Sequence, residues 1–146
     1  MQITTYNQND YDDVKSLLGH IFDLPNKDRL GGAGVVARKE GKVIGFNWAL
    51  ISPDSDVAYI NYFYVDEKYR EGGTGHALMF SLFFLLKTLQ KKMVYGTLCD
   101  DKFANRLASL YQHHSMQISK AKYLVNGNVD EVLERLSHGI KNNSQE

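Results

Sequence analysis

At 146 residues the chain is the length of one domain, with 43% hydrophobic and 23% charged residues, as in ordinary folded proteins. Seventeen basic side chains against seventeen acidic ones exclude the strong global field that draws a protein to nucleic acid or to an anionic membrane. The single cysteine, Cys99, leaves no intramolecular disulfide and no cysteine cluster for zinc.

The opening Met1-Gln2-Ile3-Thr4-Thr5 lacks the basic-then-apolar pattern of a secretory leader. The longest apolar stretch, Ala77 to Leu86, is about half of what a bilayer span requires. A soluble, cytoplasmic protein is expected, with no metal. Ile3 to Tyr6 reads as a short strand. Asp10 is placed to cap a helix in which Tyr11, Val14, Leu17, Leu18, Ile21 and Phe22 recur at helical spacing, and Pro25 ends it. Asn26 to Gly34 reads as a loop or a broken second helix.

Val35 to Lys39, the turn Glu40-Gly41-Lys42 and Val43 to Ile51 predict a hairpin. After a turn at Ser52 to Asp56, Val57 to Val65 is a third strand rich in tyrosine and β-branched residues. A helix from His76 to about Gln90 is apolar on most sides and therefore buried. Met93 to Leu98 is a strand, about Lys102 to His113 a helix, and Gln117 to Val125 a last strand closed by a turn at Asn126-Gly127-Asn128. Val129 to about His138 is helical, and the chain frays from Lys141. The expected fold is one mixed α/β (α+β) domain over residues 1–146, with its core in about 2–125 and a helical tail in about 129–146. Its central sheet is mixed and mostly antiparallel, with helices on both faces.

Between the third strand and the buried helix lies Arg70-Glu71-Gly72-Gly73-Thr74-Gly75. Amides at a helix N-terminus are unpaired and carry the positive end of the helix dipole. Glycine lets them approach an anion closely, and arginine adds a forked cation suited to phosphate. The loop fits a diphosphate, although a plain strand-to-helix turn would also account for the glycines. No lysine-serine/threonine pair follows, and no complete dinucleotide fingerprint sits in a βαβ unit.

Val65-Asp66-Glu67-Lys68-Tyr69-Arg70-Glu71-Gly72-Gly73-Thr74-Gly75 resembles the coenzyme A signature of the GNAT N-acyltransferases, Val-x-x-x-x-Arg/Gln-x-x-Gly-x-Gly/Ala. Downstream, Asn105-Arg106-Leu107-Ala108-Ser109-Leu110-Tyr111 resembles that family's second signature, Asn-x-x-Ala-x-x-Leu-Tyr. The element order agrees from about residue 2 to 125.

The resemblance implies an acyl-CoA-dependent N-acyltransferase that moves an acetyl group from acetyl-CoA to an amine-bearing small molecule or protein by direct attack in a ternary complex. It assigns the diphosphate to Arg70, Glu71, Gly72, Gly73, Thr74 and Gly75, mostly through backbone. It assigns the pantetheine arm to the main chain of Phe63, Tyr64 and Val65, with one of those amides on the thioester carbonyl. It implies that Asn105 contacts the arm and that Tyr111 protonates the departing thiolate, next to the alternative that Tyr111 simply covers the core.

The pattern departs at the general base, because Val57 to Val65 holds no carboxylate. Tyr59 and Asn61 are the candidates, ordering a water that carries the proton. By plain alternation Tyr59, Asn61 and Phe63 share one face, and a bulge would shift this. His76, His113 and His114 are expected at the surface, and Trp48 in core or pocket wall. After Tyr111 the family's Gly-Phe pair is absent, and the helix from Val129 stands where a seventh strand is usual, which leaves the acceptor wall and any homodimer interface open. A non-catalytic member that binds coenzyme A, or uses the fold as an interaction module, is the alternative.

Overall fold

The computed structural model describes residues 1–19, 23–30, 32–97, 109–114, 116–118 and 124–144. In chain order its elements are β1 (Gln2–Thr5), α1 (Tyr11–Leu18), β2 (Ala33–Lys39), β3 (Lys42–Ile51), β4 (Val57–Val65), α2 (Thr74–Thr88) and β5 (Met93–Thr97). A helical stretch at residues 109–113, here α3, follows; then come β6 (Gln117–Ile118), β7 (Leu124–Asn128) and α4 (Val129–Ser144). The strands form one sheet in the order β1-β2-β3-β4-β5-β7-β6. Every neighbouring pair is antiparallel except β4 and β5. Parallel neighbours need a long crossover, and α2 supplies it.

Alternation along the strands sends apolar side chains to both faces, so each face needs a cover. On one side α2 lays Leu78, Met79, Leu82, Phe83 and Leu86 over Ala58, Ile60, Phe63, Val65 and Val94, and α4 adds Val132, Leu133 and Leu136. On the other, α1 covers Val36, Val43, Phe46 and Trp48 with Tyr11, Val14 and Leu18. The ion pairs of Arg38 with Asp10 (2.7 Å) and Asp13 (3.1 Å) tie α1 to β2. At the far end of α2, buried Lys91 donates to the carbonyls of Ser52 (2.6 Å) and Ser55 (2.5 Å), which staples the β3–β4 turn to the helix.

Two departures from expectation concern the C-terminal part. The predicted last strand is two strands, β6 and β7, paired antiparallel through Gln117↔Asn126 and Ile118↔Val125. The predicted turn at Asn126-Gly127-Asn128 belongs to β7 itself, whose Gly127 pairs with Val94. A Cβ on Gly127 would stand 2.8 Å from the Met116 side chain, so this glycine serves a close approach rather than a turn. The sheet thus has its seventh strand, and α4 is added after it. Asn128 Oδ1 accepts from the Glu131 N–H at 3.1 Å and so starts α4 as a cap.

A third departure lies in β4. Trp48 faces Tyr62 and Ala49 faces Ile60, so Asn61 is the extra residue of a bulge. Before it Ala58 and Ile60 face the α2 side; after it Phe63 and Val65 do. Tyr59 and Phe63 therefore lie on opposite faces, contrary to plain alternation.

Candidate active site

Between β4 and α2 the chain makes a short 3-10 turn, Glu67–Tyr69, capped by Asp66 Oδ1, which accepts from the Lys68 N–H at 3.1 Å. Arg70 folds back on the strand: its Nε donates to the Val65 carbonyl at 2.9 Å, and its guanidinium lies 5.1 Å from the centre of the Tyr64 ring. Part of the expected phosphate-facing cation is thus engaged in holding the loop. Gly73 is the N-cap of α2 at φ 83° and ψ 4°, and no side chain caps the first turn. This left-handed conformation is the one that glycine adopts without penalty. Gly72 and Gly73 are exposed, and a Cβ on Gly73 would meet nothing within 4 Å. Open space thus lies over the unpaired amides and positive end of a fifteen-residue helix. Thr74 is buried and anchors the turn, while Glu71 is exposed.

Pairing of β4 with β5 runs from Val57↔Met93 to Ile60↔Gly96, and among the described residues 62–65 pair only with β3. Among the described residues the β4–β5 pairing ends at the bulge. An extended, amide-bearing arm laid along this part of β4 can pair with its main chain and continue to the start of α2.

Tyr111, on α3, is buried in the main core with its ring 6.1 Å from that of Phe63, on the same half of β4. Burial pushes its phenol pKa well up, so it stays protonated through the neutral range. Loop, β4 edge and Tyr111 are therefore contiguous. Asn105 lies outside the described residues, as does Cys99. Between Ala108 and Leu110 the chain has one residue where the family's second signature has two. Leu110-Tyr111 keeps the match, and Asn105 falls one position out of register.

On the face away from α2, three exposed side chains stand in one row across three strands. They are Leu50, Tyr59 and Tyr95, joined by the pairings Leu50↔Tyr59 and Tyr59↔Tyr95. The two tyrosine rings are 6.0 Å apart. Asn61 is exposed beside them, and Trp48, which is core, packs on Tyr62 at 5.6 Å. The Trp48 Nε1 donor is buried without a hydrogen-bond partner. Burial, and then the Asp23 carboxylate, raise the Tyr62 phenol pKa. Plain alternation could not place Tyr62 with Tyr59, because the bulge carries no composition of its own.

The histidines also depart from expectation. His113 is exposed as expected, but His114 is only 5% exposed and its Nε2 lies 3.2 Å from Nδ1 of half-buried His76. Elsewhere, a cavity of about 370 Å³ opens between α1 and the ends of β3 and β4, bordered by Asp13, Asp66, Glu67 and Lys42. Three carboxylates to one ammonium make it a poor seat for a diphosphate. Among the described residues no group of histidine, cysteine and acidic side chains is arranged to hold a metal, and no helix is long and apolar enough to cross a membrane.

The geometry has counterparts among solved structures. A GNAT-family acetyltransferase from Staphylococcus aureus Mu50 superposes with a TM-score of 0.72 at 14% identity, over 88% of this chain and 98% of that one. The PaiA N-acetyltransferase of Thermoplasma acidophilum, solved in complex with coenzyme A, gives 0.66 at 12% identity, over 88% and 99%. The ribosomal-protein-S18-alanine N-acetyltransferase of Escherichia coli gives 0.65 at 14%, over 88% and 93%. No curated protein sequence matches the chain. Residues 4–114 match the model of the acetyltransferase (GNAT) family. With that span covering most of the chain and the same fold in its structural counterparts, the chain belongs to the GNAT family of acetyltransferases.

Proposed function

We propose that this protein, a single GNAT domain, is an N-acetyltransferase that takes an acetyl group from acetyl-CoA and passes it to an amine in a ternary complex. The observation that carries this reading is the continuity of three features. They are the β4 edge at residues 61–65, which has no β5 partner among the described residues, the uncapped α2 N-terminus it leads into, and the Tyr111 ring against Phe63. Acetyl-CoA, when bound, supplies the acyl group as a thioester whose carbon–sulfur bond is replaced by a carbon–nitrogen bond, with coenzyme A leaving as the thiol.

The chain's part is to hold and polarise. The amides of residues 72–75 and the α2 dipole take the diphosphate. The β4 main chain from Phe63 to Val65 pairs with the arm, one N–H donating to the carbonyl oxygen as negative charge develops there. The Tyr111 hydroxyl gives its proton to the leaving sulfur. Burial keeps the phenol protonated until negative charge develops on the sulfur, and the tyrosinate left behind regains a proton from water as the products leave. The amine's proton leaves through water ordered by Tyr59 and Asn61, both exposed on β4. The acceptor, a small molecule or a protein in the cytoplasm, approaches from the Leu50–Tyr59–Tyr95 face, and a homodimer is compatible with the arrangement.

Mass spectrometry of an acetyl-CoA reaction against pooled amines and cell lysate tests the activity. Tyr111→Phe keeps the ring and its packing, so coenzyme A affinity should hold within about twofold while kcat falls by about 10²-fold, the usual worth of a placed general acid. Unchanged kcat would remove Tyr111 from the chemistry. A second reading, a non-catalytic coenzyme A binder, is favoured by the absence of any carboxylate or histidine from Val57 to Val65. Stabilisation by acetyl-CoA with no acylated product from any amine would decide for it.

A further inference from the structure

His76 is the third residue of α2, directly after the glycine loop, and His114 follows Tyr111 by three residues. Their rings meet edge to face, with centroids 4.8 Å apart and planes at 87°, and Nδ1 of His76 lies 3.2 Å from Nε2 of His114. The His114 and Met116 backbone N–H groups both donate to the Tyr111 carbonyl, at 3.1 and 3.0 Å. The segment that carries Tyr111 is therefore closed by the same residue that reaches across to α2.

Two imidazole nitrogens at this distance hold one proton between them, one ring donating and the other accepting. His76 Nε2 is buried without a hydrogen-bond partner, and the Leu136 backbone on α4 partly offsets the lowering of the His76 pKa by burial. With the His76 proton on Nε2, its Nδ1 accepts and Nε2–H of His114 donates. Among the described residues, the charged and titratable groups that bear on the pair are His113 on its own segment and Arg135 on α4, both adding positive potential. None is a carboxylate that would welcome a second proton.

We propose that His76 and His114 are positioning residues, a neutral imidazole bridge that holds the first turn of α2 and its diphosphate loop in register with Tyr111 and that opens when it is protonated. This rests on the cofactor reading above. Burial first, then the neighbouring histidines and Arg135, push His114 down to about 4, and His76 is lowered as well. An unfolded or opened imidazole titrates near 6.5, so acidification from about 6.5 toward 4 favours the opened state over the bridged one. Coenzyme A, which needs the bridged state, loses affinity in that same window.

The test is calorimetric titration between pH 7.5 and 5.0 with dephospho-coenzyme A, which lacks the 3′-phosphomonoester and so removes a ligand titration near 6. The wild type should weaken by at least tenfold. His114→Gln, whose amide still donates but does not titrate, should bind at pH 7.5 within about threefold of wild type and lose most of the pH dependence. His114→Phe, which cannot donate, should bind about tenfold more weakly already at pH 7.5. Long-range proton–nitrogen NMR of the unaltered protein gives a readout that needs no variant to fold. Two of the five histidines should each hold a single tautomer at pH 7.5, the Nε2–H of one facing the bare Nδ1 of the other. No binding at pH 7.5 would refute the cofactor reading and the proposal's link to the loop together. Equal affinity at both pH values, full pH dependence in His114→Gln, or two imidazoles titrating independently near 6.5 would each overturn the bridge alone.

Discussion

Substitution of Gly73 separates folding from cofactor binding. The residue sits at φ 83° with empty space where a Cβ would go, so alanine there meets a backbone penalty and no clash. That penalty is roughly 1–2 kcal/mol. An unfolding entropy of about 2.1 cal/mol/K per residue gives the 146-residue chain roughly 0.3 kcal/mol/K, hence a Tm lowered by about 3–6 °C. Asparagine, which tolerates the left-handed region, should fall less.

Gly73→Glu carries the same backbone penalty and adds a carboxylate over the α2 N-terminus. At about 6 Å from a diphosphate bearing about two charges, the repulsion is about 1.4 kcal/mol at the dielectric constant of water and about 5.5 kcal/mol at an effective value of 20. Affinity should therefore fall by between roughly tenfold and roughly ten-thousandfold, and added salt should restore part of it in the glutamate variant but not in the alanine one. Thermal unfolding and calorimetric titration with coenzyme A on all three variants make the comparison. A folded Gly73→Glu that binds with wild-type affinity would place the diphosphate elsewhere and refute the loop assignment.

Lys91→Met should be felt in stability alone: it leaves the Ser52 and Ser55 carbonyls without their ammonium donor, a loss of about 2–4 kcal/mol by the usual worth of charge-assisted bonds. Urea denaturation should show the drop while coenzyme A affinity at 25 °C stays put, and a fall below about 0.5 kcal/mol would mean that the staple is ornamental. Tyr59→Ala removes a half-exposed ring and should change stability by under about 1 kcal/mol. It should raise KM for the amine several-fold and leave KM for acetyl-CoA unchanged. The opposite pattern would move the Tyr59 face to the donor side.

Much of this molecule can be read from local residue chemistry. The β2–β3–β4 meander follows from turn residues between β-branched runs, and α2 from an apolar stretch too short for a membrane. The loop follows from glycines where a strand meets a helix. Features that depend on what a residue meets across space were not legible. In β4 the buried residues Ala58, Ile60, Phe63 and Val65 are spaced two, three and two apart, which marks the bulge in hindsight. Tyr62 and Tyr64, large and half-buried, mask that spacing. Gly127 reads as a turn because glycine usually breaks strands, and only the Met116 side chain against it reveals the closer reason. His114 reads as a solvated helix end because nothing local announces His76, thirty-eight positions earlier.

The same distinction separates the donor and acceptor halves of the site as proposed above. The donor half is made chiefly of backbone: a helix start, a strand edge and a left-handed glycine. Backbone geometry leaves its mark on sequence as glycine, because other residues resist φ near 83°. It is also braced from behind, since α2 packs on the sheet with five wholly buried side chains, with α4 alongside it. The acceptor half is a row of exposed side chains, Leu50, Tyr59 and Tyr95, on a face that α1 leaves uncovered among the described residues. Its residues hold no conserved conformation in place, so exchanging one tyrosine for another large side chain changes recognition at little cost to the fold. One scaffold can therefore keep its acyl donor while its amine acceptor changes. For this chain the acceptor is to be sought through the two tyrosines and the bulge beside them rather than through the glycine loop.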